Sequence, residues 1–444
     1  MAAEQLEPLD LLEDEAEAHV QGVCFKTGPP VRTGVELEWL VHDRSDPRML
    51  ISADRLHAAL APVEVPGGMP RGSTITREPG GQVELSSPPA GSLPACVEAM
   101  AVDLAALRRA MDRAGLVLVG RGLDPYRDPP RLLDAPRYRA MERFFDREGP
   151  WGRAMMRRTA SLQVNLDGGD DSHGITGYRR RWELAHRLGP VLVAAFANSP
   201  LSDGRPTGWV STRQATWAAM DPGRTRPPAH APDPRSAWAR YALDAQVLCV
   251  RVPETAAELT PELAGLPPDG VTGGVTGGAA DWTAPPGLTF RGWLRGDAPA
   301  LRRPTLDDLD YHLSTLFPPV RPRGWLELRM VDAQDGDAWV VATALAATLL
   351  DDPVAADAAF AATEALCPHG PLPPDDIWRR AARTGPADPE LGKAVRACFL
   401  AAESALARAA APVALRTAVS AFAERYADRG RCPAHDQLDA LTRV

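Results

Sequence analysis

The chain has 444 residues, 45% hydrophobic and 24% charged, the composition of a globular protein with one large domain or two ordinary ones. Its formal net charge of −9 argues against non-specific nucleic-acid binding. Every basic residue except Lys26 and Lys393 is arginine and no Gly-rich loop ends in Lys-Ser or Lys-Thr, so a bound phosphate or carboxylate must be held by arginine, metal or backbone N–H.

In chain order, Met1–Val20 is acidic with scattered leucines and lacks the basic start and apolar core of a secretory signal. A helix is predicted over Leu9–Cys24, and a strand-like region starts at Val31. Leu104, Leu107 and Met111 have helical spacing within Asp103–Ala114. A further helix over Tyr178–Phe196 stops near Asn198-Ser199-Pro200. Breakers crowd Pro253–Gly287, which reads as an irregular insertion: a solvated surface loop, with a lid as the sharper alternative. From Ala338 the chain is rich in Ala and Leu, and helices are predicted over Trp339–Leu350, Ala355–Leu366, Pro389–Ala410 and Ala414–Tyr426, packed on the back of a sheet. The longest apolar run, Ala338–Leu350, is too short to span a bilayer, and no membrane partner is expected. Six cysteines (Cys24, Cys96, Cys249, Cys367, Cys398, Cys432) lie far apart without a Cys-x-x-Cys pair, which points to neither a zinc site nor a disulfide framework. A reducing cytoplasm is the default compartment.

One pattern occurs four times. In a strand, alternate side chains share a face. Val35-Glu36-Leu37-Glu38-Trp39 puts Glu36 and Glu38 on one face. Gln82-Val83-Glu84-Leu85-Ser86 does the same with Gln82, Glu84 and Ser86. Ser161-Leu162-Gln163-Val164-Asn165 presents Ser161, Gln163 and Asn165, and Trp325-Leu326-Glu327-Leu328-Arg329 presents Glu327 and Arg329. For any one strand, a half-exposed antiparallel sheet facing water is sufficient. For the set, residue choice argues otherwise. Glu is a poor strand former, and paired glutamates on one face repel unless something positive lies between them. If the strands are neighbours, Glu36, Glu38, Glu84 and Glu327 line a trough suited to Mg²⁺, a hard cation that takes carboxylate oxygens.

The flanks fit such a site. Glu78-Pro79-Gly80-Gly81 precedes the second strand and predicts a hairpin; its glycines serve either the turn or close approach of a ligand. Arg321 and Arg323, just before the fourth strand, are within reach of the same trough, where a guanidinium suits phosphate or carboxylate; a solvated basic turn is the alternative. His312 reads as a packed helix histidine rather than a catalyst.

These segments resemble the plant-type glutamate–cysteine ligase family, especially its bacterial branch that serves ergothioneine synthesis. The matching residues are Gly34-Val35-Glu36-Leu37-Glu38, Glu78-Pro79-Gly80-Gly81-Gln82-Val83-Glu84-Leu85-Ser86, Gln163-Val164-Asn165-Leu166-Asp167, Phe196-Ala197-Asn198-Ser199-Pro200-Leu201, Ser211-Thr212-Arg213, Asp221-Pro222-Gly223-Arg224-Thr225, His312 to Pro318, and Trp325 to Arg329, in family order. The resemblance implies an α+β, glutamine-synthetase-like catalytic fold: a curved, mainly antiparallel sheet backed by helices, in a single domain over 1–444. The sheet core covers about 30–335 and the helical C-terminal part about 336–444. It also implies ATP and Mg²⁺ as cofactors and L-glutamate and L-cysteine as substrates. Glu36, Glu38, Glu84 and Glu327 inherit the metal role, and Arg329 and Arg321 the catalytic one. Glu78, Gln82, Gln163, Asn165, Asn198 and Arg213 become candidates for nucleotide or substrate binding.

The implied reaction needs no protein nucleophile, and none of the usual nucleophile signatures is present in the sequence. Three alternatives stand beside it: a ligase joining glutamate to another amine, a non-catalytic protein that binds glutamate or nucleotide, and a kinase that stops at the phosphorylated product.

Overall fold

The computed structural model describes residues 11–252 and 281–442. Most of the predicted insertion, 253–280, lies outside the described residues. The alternating segments are strands: β1 (Thr33–Asp43), β2 (Thr74–Arg77), β3 (Val83–Ser86), β4 (Leu116–Val119), β5 (Ser161–Asp167), the short ribbon of β6 (Leu201–Ser202) and β7 (Arg205–Pro206), then β8 (Val320–Pro322) and β9 (Trp325–Asp332). Among the described residues one seven-stranded sheet runs β2-β3-β1-β5-β9-β8, with β4 paired to the far end of β1. Its pairings are all antiparallel. The strands that carry the repeated pattern, β3, β1, β5 and β9, are therefore consecutive neighbours.

Register fixes the faces. Glu36 pairs with Ser86 on one side and Gln163 on the other; Glu38 pairs with Glu84; Asn165 pairs with Glu327, which pairs in turn with Arg321. The opposite face, with Val35, Leu37, Val83, Leu85, Leu162, Val164, Leu166, Leu326 and Leu328, is buried. At roughly 1.5–3 kcal/mol per buried large apolar side chain, this face holds the layers together and pins the register, because a one-residue slip would bury the glutamates instead.

Helices cover that apolar face. Tyr178–Phe196 packs on β9, Trp339–Asp351 on β5 and β1, and Leu93–Arg113 on β1 and β4. The Leu93–Arg113 helix starts where Ser92 accepts from the Ala95 N–H. Trp339–Asp351 is apolar on nearly all sides because Pro389–Arg408 and Val413–Arg425 lie over its outer face. The first helix begins at Glu13, and the four predicted C-terminal helices are present with small shifts at their ends. Asp375–Thr384 and Pro433–Thr442 are further helices that the breaker-rich flanks concealed.

Two local features shape the polar face. Val164 pairs with Leu328 but Leu162 pairs with Val331, so β9 carries one extra residue at Arg329–Met330. This bulge resets the alternation and brings Asp332, as well as Glu327 and Arg329, to the polar side. In the β2–β3 hairpin the Gly81 N–H donates to the Glu78 carbonyl, and φ of +87° at Gly81 favours glycine. Gly80 is required for a different reason: a Cβ there would lie 2.1 Å from the Arg157 carbonyl oxygen. Gly81 thus serves the turn and Gly80 the packing of the hairpin against Arg157.

Candidate active site

The trough floor runs from Glu84 across Glu36 and Glu38 to Gln163, Asn165, Glu327 and Arg329. Each carboxylate is held differently. Glu38 accepts from the Ser161 N–H (2.7 Å), the Ser161 hydroxyl (2.9 Å) and Gln163 Nε2 (3.1 Å). Glu36 accepts from Asn165 Nδ2 at 2.8 Å. Glu84 has hydroxyl donors, Thr76 at 3.0 Å and Ser86 at 3.1 Å. Glu327 is 0% exposed and tied to guanidiniums: Arg321 Nε at 2.5 Å, Arg321 Nη2 at 3.1 Å and Arg329 Nη1 at 3.0 Å, with Arg323 Nη1 at 3.6 Å.

The amides predicted as ligand groups are bridges in this arrangement. Arg329 Nη1 donates to Gln163 Oε1, and Gln163 Nε2 donates to Glu38, so one amide orients a cation and an anion together. Asn165 receives the Trp325 indole N–H at 3.1 Å and donates to Glu36.

The electrostatics are lopsided. Around Glu327, burial works to raise the carboxyl, but Arg321, Arg329 and Arg323 outweigh it and hold the group well below the usual carboxylate range. Burial brings the Arg321 guanidinium down to about 10, with Arg329 adding repulsion and Glu327 opposing both. At the other end, burial and then the Glu327 charge push Glu36 up, and burial with repulsion from Glu36, Glu78 and Glu38 pushes Glu84 well up. The trough thus has an arginine-rich end that attracts anions and a carboxylate end short of positive charge.

Three of the predicted residues make hydrogen bonds within the protein, with the buried Nε of Arg213 left without a partner. Gln82 bonds the Thr159 carbonyl (2.8 Å), the Met156 carbonyl (3.4 Å) and the Gly80 N–H (3.0 Å). Asn198 bonds the carbonyls of Gly120 and Ala333 and receives Gln437 Nε2 at 2.6 Å. Arg213 is buried, stacks over Trp217, and donates to the backbone of Arg329 (2.9 Å) and Val331 (3.4 Å). It therefore grips the β9 bulge from behind. Glu78 sits in the hairpin beside Glu84, whose carboxyl its charge helps to raise. Asp332 was absent from the prediction because strict alternation places it on the wrong face. It accepts from Ser199, Ser211 and the Asn198 N–H, and Arg213 lies 3.7 Å away. His312 is buried and its Nε2 bonds the Ala242 carbonyl at 2.8 Å, as expected of a packed histidine.

Sheet, helical backing and trough define an α+β protein whose polar trough is one side of an antiparallel sheet. The family model described as Glutamate-cysteine ligase family 2 (GCS2) matches residues 32–443, and the chain belongs to that family. A protein of Mycobacterium tuberculosis named glutamate–cysteine ligase EgtA is 40% identical over 434 residues, 96% of this chain and 90% of its own length. A Mycolicibacterium smegmatis protein of the same name is 41% identical over 434 residues, 91% of its length. The chloroplastic glutamate–cysteine ligase of Medicago truncatula is 31% identical over 274 residues, 60% of this chain and 47% of its own.

Proposed function

We propose that this protein is an ATP-dependent glutamate–cysteine ligase whose product serves ergothioneine synthesis, and that the trough described above is its active site. The carrying observation is the polarity of that trough: Glu327 locked between Arg321 and Arg329 at one end, Glu36 and Glu84 uncompensated at the other. Membership of the ligase family and the two mycobacterial relatives support the choice of substrates.

The donor set fits Mg²⁺. Its ligands would be the hard carboxylate oxygens of Glu36, Glu38 and Glu84, with Glu327 at the phosphate end. Among the described residues no group of three or more His, Cys, Asp or Glu is drawn together as a cage. The carboxylates are instead spread over adjacent strands, which suits an ion that keeps several of its waters. Mg²⁺ would supply charge neutralisation at the phosphoryl oxygens.

The reaction then asks little covalent chemistry of the chain. A γ-carboxylate oxygen of glutamate attacks the γ-phosphorus of ATP, and ADP leaves. The α-amine nitrogen of cysteine attacks the acyl carbon, loses a proton, and phosphate leaves. Arg329 and Arg321, held rigid by Glu327 and Gln163, present fixed positive charge to the transferring group, so alignment and electrostatics carry the rate. A reducing, cytoplasmic setting accords with the six cysteines, all free and buried. No single helix among the described residues is long and apolar enough to cross a membrane.

The test is phosphate release from Mg²⁺-ATP with glutamate, with and without cysteine, and mass spectrometry of the products. Cysteine-dependent release with γ-glutamylcysteine is the expected result. Release independent of cysteine would replace the ligase by a kinase or by a ligase for another amine.

A further inference from the structure

Beside the trough lies a pocket that the reading above does not use. It has a volume of about 170 Å³ and meets the trough at Arg329. Its walls come from three places in the chain: Trp209, Gln214 and Trp217; Arg226 with Pro318 and Pro319; and, from the C-terminal helix Asp375–Thr384, Asp375, Trp378 and Arg379. The glutamates of the trough are not among its lining residues.

The walls are built to stay in place. Trp378 rests directly on Gly189, where an added Cβ would come within 1.9 Å of the indole. Trp217 is stacked under Arg213 at 4.8 Å, and Gln214 Nε2 is tied to the Met330 carbonyl at 2.8 Å. The backbone beside Trp209 is bound to the same C-terminal helix, Val210 N–H to the Ala382 carbonyl at 3.1 Å. Among the lining residues Asp375 and Arg226 form an ion pair at 3.1 Å, both about half exposed, and Arg379 is exposed.

The chemistry of this lining is specific. The lining combines the Asp375 carboxylate, the Arg226, Arg379 and Arg329 guanidiniums and the apolar surfaces of three indoles and the prolines, and Arg329 is shared with the trough. A volume of about 170 Å³ falls below the ~300 Å³ at which pockets for drug-sized ligands begin, which suits a small amino acid and not a nucleotide. We propose that this pocket receives the α-ammonium and α-carboxylate end of an amino-acid substrate. Asp375 faces the ammonium, Arg226 and Arg379 face the carboxylate, and the three tryptophans shape the passage that directs the rest of the molecule toward Arg329. The proposal rests on the ligase reading, and glutamate and cysteine share the head group it invokes. It also gives the C-terminal helical part, which carries none of the trough residues, a direct hand in substrate selection.

Initial rates of the full chain decide the matter, with ATP, glutamate and cysteine each varied in turn, for wild type, Trp378→Ala and Asp375→Asn. Both variants are expected to raise KM for one of the two amino acids about tenfold or more while KM for ATP stays within about twofold, which also shows that the variants are folded. Which amino acid responds identifies the occupant. Unchanged KM for both amino acids, or a parallel rise in KM for ATP, would overturn the proposal. If wild type shows no ligase turnover, the functional reading fails instead, and titration calorimetry with glutamate and with cysteine tests the pocket separately. Binding to wild type that Asp375→Asn weakens upholds it, and equal binding or none overturns it.

Discussion

Glu38 and Glu84 stand directly opposite each other on β1 and β3. Like charges in that position repel. Glu38 is answered by Ser161 and Gln163, whereas Glu84 has only the hydroxyls of Thr76 and Ser86. Replacing Glu84 by Gln should therefore stabilise the metal-free protein by about 1 kcal/mol while removing most of the turnover. Urea unfolding in the presence of a chelator reads the first effect and ATP turnover the second. A lower urea midpoint for the variant would mean that Glu84 is already balanced within the protein.

The same deficit of positive charge predicts a metal effect that needs no catalysis. Mg²⁺ binding only the folded chain should raise the unfolding midpoint in proportion to RT ln(1 + [Mg²⁺]/Kd), about 2.7 kcal/mol at a hundredfold excess over Kd. In Glu36→Gln, which removes one of the two carboxyls pushed up by burial and neighbouring charge, the Mg²⁺-dependent part should fall by at least half. Equal Mg²⁺ stabilisation in both proteins would remove Glu36 from the ligand set.

Glu327 is a different case from the other glutamates. Its fully buried carboxylate separates the guanidiniums of Arg321 and Arg329, whose side chains are 9% and 13% exposed. Glu327→Gln leaves that positive charge buried without an anion, so a loss of about 3–5 kcal/mol in stability should accompany the loss of activity. Chemical denaturation compared with Glu36→Gln measures it. A Glu327→Gln protein as stable as wild type would show that solvent reaches the arginines.

Arg329→Lys keeps a charge near Glu327 but loses the planar fork that contacts both Glu327 and Gln163. The expected result is a fall in kcat of about a hundredfold or more, with stability reduced by no more than about 1–2 kcal/mol. A lysine enzyme with near-normal kcat would give Arg329 a structural role.

How much of this was legible in advance follows from what each signal depends on. The four polar-faced strands could be read because period-2 alternation is local to each strand, and their adjacency then followed from the fold. The β9 bulge could not be read, since an extra residue is defined only against its partner strand; Asp332 was missed for that reason. For Gln82 and Asn198 the motifs alone suggest ligand groups. Their bonds to the backbone of Thr159 and Gly120 depend on loops distant in sequence. The breaker-rich flanks conceal the helix Asp375–Thr384, although Ile377, Ala381 and Ala382 mark its buried side. His312 reads as packed because a helix histidine is more often capped or packed than catalytic, and it is buried with its Nε2 on the Ala242 carbonyl.

That histidine and His186 both make the fold sensitive to acid. Burial lowers His312 to about 3, assisted by the charge of Arg224, and burial lowers His186 to about 4. Both are neutral in the folded chain, while their unfolded counterparts take up a proton near pH 6.5. Stability is therefore complete above about pH 6.5 and is lost as the pH falls, because the unfolded state binds protons that the folded state refuses. Each histidine contributes a slope of about 1.4 kcal/mol per pH unit below that point, continuing toward pH ~4 for His186 and ~3 for His312. Replacing His186 by Phe removes its proton-binding ring and keeps an aromatic ring against Trp182. Between pH 6 and 5, urea unfolding of wild type should lose about 1.2 kcal/mol more than His186→Phe does, from whatever starting stability each has at pH 7. Parallel pH curves for the two proteins would mean that the His186 ring is protonated in the folded state.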